Sequence, residues 1–313
     1  MATDLEKLAH NLEKLEKLRK RTRNAYISVV IYFIFLGFVF FLLSRNRYLF
    51  AYSHFQYLFF ILLGPFTAEM FIMCKRIRRE YKKLYNAVIV RSSLEQYFEI
   101  ESFNSDYGIP EHDIKATGMI RTGNSFKADD YLKGKYKDVA FMQSDVLMED
   151  RTSITPYIKS KPVTYFRGRW MIFEFNKRFK CNLKIYENTF VLSNTKFSLF
   201  SSDGYQKVEF ENAEFNKHFN CYTDNQTEAF YLLTPHLIES IEDIRKNTNG
   251  GLLMCFKNNL LHVGVNCGRW AFEPPIFSKI DIAEIQVAIR QDINLITKFV
   301  DVLSLDENVY RID

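Results

Sequence analysis

Residues 25–74 read AYISVVIYFIFLGFVFFLLSRNRYLFAYSHFQYLFFILLGPFTAEMFIMC. From Ala25 to Ser44 there are 20 residues without a charge. At the helical rise they cover about 30 Å, the thickness of a bilayer's hydrocarbon core. A second run of that length can be drawn from Leu49 to Ala68 or from Phe55 to Cys74, and only the later register takes in Glu69. The stretch predicts a two-helix transmembrane hairpin over 25–74. A charged amphipathic leader helix over 1–24, a helical neck over 75–103 and a cytoplasmic α+β domain over 104–313 are expected to hang from it.

Charge sets the orientation. Lys14, Lys17, Arg19, Lys20, Arg21 and Arg23 precede the first run, and Lys75, Arg76, Arg78, Arg79, Lys82 and Lys83 follow the second, against Arg45 and Arg47 between them. The bias of positive residues toward the cytoplasm then places both termini inside, in an inner (cytoplasmic) membrane crossed twice. Tyr26 at one end and Tyr48, Tyr52 and Tyr57 at the other suit interfacial anchors. Residues 1–83 carry 15 of the chain's 42 Lys/Arg and 6 of its 37 Asp/Glu, so this part has a net charge of +9 and the remainder −4. The basic excess therefore crowds the membrane flanks, where it attracts anionic lipid headgroups, and a nucleic-acid partner is not expected. The five cysteines, Cys74, Cys181, Cys221, Cys255 and Cys267, form no C-x-x-C pair, so neither a disulfide framework nor a zinc knuckle is indicated.

In the leader, Leu5, Leu8, Leu12, Leu15 and Leu18 recur at helical spacing among Glu and Lys. Such a helix lies on the membrane or on the soluble domain, or else forms a short coiled-coil seam that makes a homo-oligomer; fewer than three heptads favour the first. His54 and Glu69 are the ionisable residues of the second run, and interfacial placement is the simpler reading, because two helices enclose no ion pathway. Pro65 after Gly64 predicts a kink.

Past the membrane, Ile77, Tyr81, Leu84, Val88, Leu94 and Phe98 keep a helical period. Tyr107 to Gly118, with Pro110 near its start, predicts a short helix, and Thr122, Gly123 and Asn124 a turn. Asp130 to Asp150 predicts a hairpin with Gly134 at a bulge or turn, and Arg151 to Thr164 an exposed loop. Trp170 to Phe175, Leu183 to Tyr186 and Phe190 to Phe200 read as strands. Thr234–Pro235 starts a helix with Leu237, Ile238, Ile241 and Ile244 on its apolar face, ending at Asn249, Gly250 and Gly251. Leu252–Phe256 and Leu260–Val265 form a hairpin about Lys257, Asn258 and Asn259. Asp281 with Glu284 caps a last helix striped by Ile285, Ile289, Ile293, Ile296, Val300 and Leu303, which should pack across a sheet. The fold class is α+β, an antiparallel sheet with packed helices. No G-x-G-x-x-G or Walker loop is present, and no cofactor is expected.

Catalytic residues are not legible. The candidates are the adjacent carboxylates Asp129/Asp130 and Glu149/Asp150, but neighbours on a strand point to opposite faces unless a turn intervenes. His218 and His236 lie on different elements without ligand spacing, so no metal site is expected.

Phe166–Phe179 (FRGRWMIFEFNKRF) and Val208–Ile241 (VEFENAEFNKHFNCYTDNQTEAFYLLTPHLIESI), with the acidic-aromatic Asp129, Asp130 and Tyr131, resemble a bacterial two-span membrane-protein family, domain of unknown function family 3137. The resemblance implies a charged leader, two spans, a helical neck and a cytoplasmic domain, and a LemA-like membrane-protein partner, but no catalytic residue. Arg169 and Trp170 after Gly168 depart from the family's plain apolar run. Within the second motif, Phe215 and Phe219 are spaced for one short helix, Asn225 and Glu228 for a capping pair, and Phe230, Leu232 and Leu233 for core. A membrane-anchored binding or scaffold protein is the leading expectation. A tethered carboxylate-based enzyme and a small transport-associated protein are the alternatives.

Overall fold

The computed structural model describes residues 2–45, 53–151, 161–175, 178–188 and 204–305. The chain forms two compact units, 1–92 with 273–285, and 93–272 with 286–313.

In the first unit, leader and first apolar run are one unbroken helix, α1 (Ala2–Arg45), and the second run continues past its basic flank as α2 (Ser53–Tyr85). Among the described residues one helix, at Ala9–Leu42, has the length and hydropathy to cross a membrane. The connection at 46–52, including Tyr48 and Tyr52, lies outside the described residues, as do the side chains of His54 and Tyr57. Tyr32 meets Phe66 with ring centroids 5.5 Å apart and Phe33 meets Phe71 at 5.9 Å. Pro65 sits inside α2, and the hydroxyl of Thr67 donates to the carbonyl of Gly64. Glu69 is exposed.

After α2 one π-turn, Asn86–Val90, leads into α3 (Arg91–Leu94). The helical spacing to Phe98 misleads: the amides of Tyr97 and Phe98 both turn back to the carbonyl of Leu94, and β1 (Glu99–Asn104) follows. The expected 75–103 neck therefore stops at Leu94, and its last residues begin the sheet.

The second unit is built on one antiparallel sheet. Its described strands are β1, β2 (Ser125–Tyr136), β3 (Val139–Asp150), β4 (Val163–Glu174), β5 (Leu183–Glu187), β6 (Gln206–Val208), β7 (Phe219–Thr223), β8 (Gly251–Lys257) and β9 (Leu260–Asn266), in spatial order β1-β2-β3-β4-β9-β8-β5-β7-β6. The β2–β3 turn is at Lys137 and Asp138, both in the left-handed region. Gly134 is not at that turn; it pairs with Ile100 beside a bulge in β1, where a Cβ would come within 2.6 Å of the Glu99 carbonyl. Val163 and Thr164 belong to β4 rather than to a loop, and 152–160 and the expected strand at 190–200 lie outside the described residues.

Helices close both faces. α4 (Glu111–Lys115) follows Pro110, and Ile109, Ile114, Met119 and Ile120 around it pack with Met148, Phe166, Trp170, Ile172 and Tyr186. α5 (Ala213–His218) is capped by Asn212 and α6 (Gln226–Leu232) by Asn225, whose side chain accepts the Glu228 amide. Phe219 has left the helix and starts β7, though its ring stays 4.9 Å from that of Phe215; Phe230 is exposed, against the expectation of core, and touches Phe210. α7 (Pro235–Lys246) begins where Thr234 accepts the Leu237 amide, and it buries Leu237, Ile238, Ile241 and Ile244. α8 (Ile282–Leu305) is capped by Asp281, which accepts from Ala283 and Glu284. Its Ile289, Ile293, Ile296, Phe299 and Val300 are buried, with Phe299 on Phe173 of β4 at 5.9 Å. β4 is thus covered on both faces, buried without a break from Gly168 to Phe173. A strand in that position reads as a continuous run rather than an alternation.

Candidate functional site

Arg169 is the charged member of that run, and it is only 5% exposed. Residues two apart on a strand share a face, so Arg169 looks the same way as Met171 and Phe173, toward α8. There its guanidinium meets Asp292 of α8 at 2.6 Å. Asp145 of β3 stands directly across the ladder from Arg169, and Val265 of β9 flanks it on the other side. Burial by itself would lower the pKa of Arg169, but Asp292 and Asp145 outweigh it and the pKa is raised. Asp145 also accepts the backbone amide of Ala271. Gly168 is required beside this group, because a Cβ would lie 2.0 Å from the Val265 carbonyl.

Above Arg169 opens a cleft of about 320 Å³. One wall is Asn247, Thr248 and Asn249, between α7 and β8; another is Cys267 and Arg269, just after β9; the third is Gln291, Asn294 and Lys298 of α8. Arg269 approaches Asp292 at 3.8 Å and is 61% exposed, while Lys298 reaches Asp243 at the rim at 3.4 Å. Three cationic side chains thus surround a single lining carboxylate, Asp292, which is already bound to Arg169. The rest of the lining is amides, a hydroxyl and the Cys267 thiol, with Val265 and Leu295 as its apolar part; the polar groups among these orient a ligand without neutralising it.

The carboxylate pairs expected from the sequence do not converge on a shared site. Asp129 is ion-paired with Lys127, while Asp130 is buried at the β2 bulge with a φ of 56°. Glu149 is held by Arg151 at 2.5 Å. Asp150 accepts from the Tyr165 hydroxyl at 2.6 Å and from the Asn124 amide, and it faces Arg121; the Tyr165 hydrogen bond, ahead of the other two, holds it below the usual carboxylate range. These acids are committed to neighbours in the fold.

His218 and His236 are likewise apart in role. His236 is exposed, whereas His218 lies 3.0 Å from Glu242 and 3.7 Å from Glu214, with Arg245 bridging Glu242 and Glu187. The i, i+4 spacing of Glu214 and His218 on α5 was the available signal for this cluster; Glu242 comes from α7 and had none. Among the described residues no three His, Cys, Asp or Glu side chains gather as a metal site. His262 has no motif or spacing that marks it in the sequence. It is buried on β9, where its Nδ1 accepts the indole N–H of Trp170 at 3.4 Å, and burial, with Lys257 adding, lowers its pKa to about 4.

Residues 164–305 match the model of a family described as a protein of unknown function (DUF3137). This segment is similar to the DUF3137 family over a little under half of the chain. It runs from the second residue of β4 to the last residue of α8, so every residue lining the cleft lies in the DUF3137 segment, whereas Asp145 lies before it. No curated protein matches the chain. Among solved structures, the crystal structure of the mycobacterial trehalose monomycolate transport factor A, TtfA, is similar at 8% identity and a TM-score of 0.32, over 69% of this chain and 94% of that one.

Proposed function

We propose that this is a bacterial membrane-anchored binding module: a two-span hairpin of α1 and α2 fixes it in the inner membrane with both termini in the cytoplasm, and the DUF3137 cleft takes a small anion. The observation that carries the ligand class is that Arg169, Arg269 and Lys298 line the cleft while the acids beside them, Asp292, Asp145 and Asp243, are already paired, and that Arg269 is left 61% exposed. Carboxylates and phosphates are what such donors recognise. The volume, near the lower end of small-molecule sites, suits a compact metabolite rather than a polymer. A carboxylate-based enzyme is less well supported, since neither Asp129/Asp130 nor Glu149/Asp150 leaves two acids facing one open space.

The test is calorimetric titration of the purified full chain, in nanodiscs, with inorganic phosphate and with citrate. Binding of one of them is expected, weakened at least tenfold in Arg269→Gln/Lys298→Gln, whose exposed side chains leave the thermal melt in place. Equal binding by that variant, or none by the parent, removes the anion reading. The hairpin is tested by labelling: an impermeant thiol reagent on intact cells should modify a cysteine put at Asn46 and spare one at Asp313. The reverse pattern overturns the orientation.

A further inference from the structure

The first unit contains a short irregular segment, 273–281, that arrives late in the chain and is pinned at four places. Glu273 pairs with Arg78 at 3.1 Å and Lys82 at 3.0 Å; the Tyr81 hydroxyl donates to the Pro275 carbonyl at 2.7 Å. Arg19, only 2% exposed and held by Glu16 at 2.7 Å, donates to the carbonyls of Ile276 at 3.1 Å and Ser278 at 2.8 Å. The buried guanidinium thus grips the backbone on either side of one residue, Phe277. Yet the Phe277 side chain is 67% exposed and touches only the edge of the fold, with its ring 6.4 Å from that of Tyr26.

The burial of Arg19 is compensated by Glu16 and the two carbonyls, and what these bonds hold in place is a large aromatic ring left 67% exposed. The position of Tyr26 supplies the missing partner. Tyr26 is the second residue of the uncharged run, three residues past Arg23, so the rings of Tyr26 and Phe277 share the level at which charge gives way to apolar surface. Aromatic side chains at that level are the ones that settle among lipid headgroups. Lys279, exposed two residues further on, adds a cation on the same segment. We infer that Phe277 is a membrane-interface anchor contributed from the far end of the chain, seated beside Tyr26 in the headgroup and upper acyl region of an anionic bilayer. The inference rests on the membrane reading of α1 proposed above. It makes 273–281 a strap that ties the segment entering α8 to the bilayer surface.

Tryptophan fluorescence of the full chain in nanodiscs containing anionic lipid tests it, with bromine placed either high on the acyl chains or near their ends. Phe277→Trp is compared with Phe35→Trp in the middle of the α1 run, with Tyr231→Trp on the second unit, and with the parent, whose Trp170 and Trp270 set the background. Phe35 lies nine residues beyond Tyr26, about 13.5 Å deeper along a helix. The expected result is quenching of Phe277→Trp by the high bromines, of Phe35→Trp by the deep ones, and of Tyr231→Trp by neither. If Phe35→Trp is quenched and Phe277→Trp is not, the strap inference falls and the membrane reading stands. A blue-shifted, unquenched Phe277→Trp means that protein covers the ring, which also overturns it. If Phe35→Trp is unquenched by either lipid, the membrane reading falls and takes the strap with it.

Discussion

The two units treat the same kinds of side chain in opposite ways. In the first, Ile31, Ile34, Phe35, Phe38 and Phe41 of α1 point outward at 58–68% exposure, and a buried arginine, Arg19, sits near the charged end. In the second, Ile293, Phe173, Phe166 and Trp170 are at most 1% exposed, and the buried arginine is at the centre of the sheet. The arginines are satisfied differently as well: Arg19 by Glu16 and two carbonyls, Arg169 by carboxylates from α8 and from the neighbouring strand. On the proposed membrane reading, this outward apolar surface of α1, long enough to cross a bilayer, is covered by lipid rather than water. Arg19 therefore fastens backbone at a boundary, while Arg169 joins a strand to a helix inside a core.

The sharpest way to break this comparison is to put an aspartate in each apolar set. Ile293→Asp places an unpaired charge in a closed core, at a cost of several kcal/mol that approaches a whole domain's stability. The cooperative melt of the second unit, followed by near-ultraviolet circular dichroism, should be lost. Ile34→Asp touches no core and should leave that melt unchanged, but it should lower the membrane-inserted fraction, by an expected penalty of about 2.5–3.5 kcal/mol. Lys246→Gln is the neutral control. If Ile34→Asp melted the second unit, the exposed apolar face would belong to an internal interface instead.

Next in size is the core arginine. Arg169→Met removes one partner of a buried ion pair and strands Asp292 and Asp145, at an expected cost of about 3–5 kcal/mol. Adding Asp292→Leu should restore part of it, since two apolar side chains tolerate that site better than one uncompensated acid. Denaturant melts of the single and double variants decide this, and a double variant less stable than Arg169→Met would mean that Asp292 is held by Arg269 alone.

His262 gives a smaller effect with a definite pH signature. Its folded pKa of about 4 lies below the ordinary value of 6.5, so the unfolded chain binds the extra proton first as pH falls. Stability carried by the neutral ring is complete above about pH 6.5 and is lost progressively toward pH 4, on the order of 3 kcal/mol in all. His262→Gln should flatten that part of the stability–pH curve. An unchanged slope would assign the acid sensitivity to other groups.

How much of this was legible follows from how local each cause is. The Thr234, Asn225 and Asp281 caps and the isoleucine stripes of α7 and α8 depend on spacings of three and four residues, and they were read from those spacings. Arg169 depends on α8 closing over β4, and the sequence shows only a charge interrupting an apolar run. The helical spacing that reached Phe98 failed for a similar reason: two amides meeting at Leu94 end the helix, and Phe98 goes on to pack edge-on against Phe141 at 4.9 Å. The hydrophobicity of Phe230 points to the core, but α6 turns only Ala229 and Leu232 inward. The strap was invisible because 273–281 has no periodicity, and its partners Arg19, Arg78 and Lys82 read as ordinary basic flank.

The smallest effect is expected at Glu69, and it bears on the comparison because, on the proposed membrane reading, a carboxylate among the exposed apolar residues of α2 is a polar group that would make the first unit resemble the second. Glu69 is exposed on α2, five residues before Cys74 and the basic cluster that begins at Lys75. Five residues are about 7.5 Å along the helix, within reach of the interface for a flexible side chain. A group that reaches water is not paying the cost of burial, and exchanging its charge for an amide should change little. Glu69→Gln should leave the membrane-inserted fraction and the melt of the second unit within about half a kcal/mol of the parent, as for other exposed substitutions. Quantified membrane fractions and melts measure both. A marked loss of insertion would mean that the carboxylate is paired between α1 and α2, and the first unit would then hold a buried charge as the second does in its sheet.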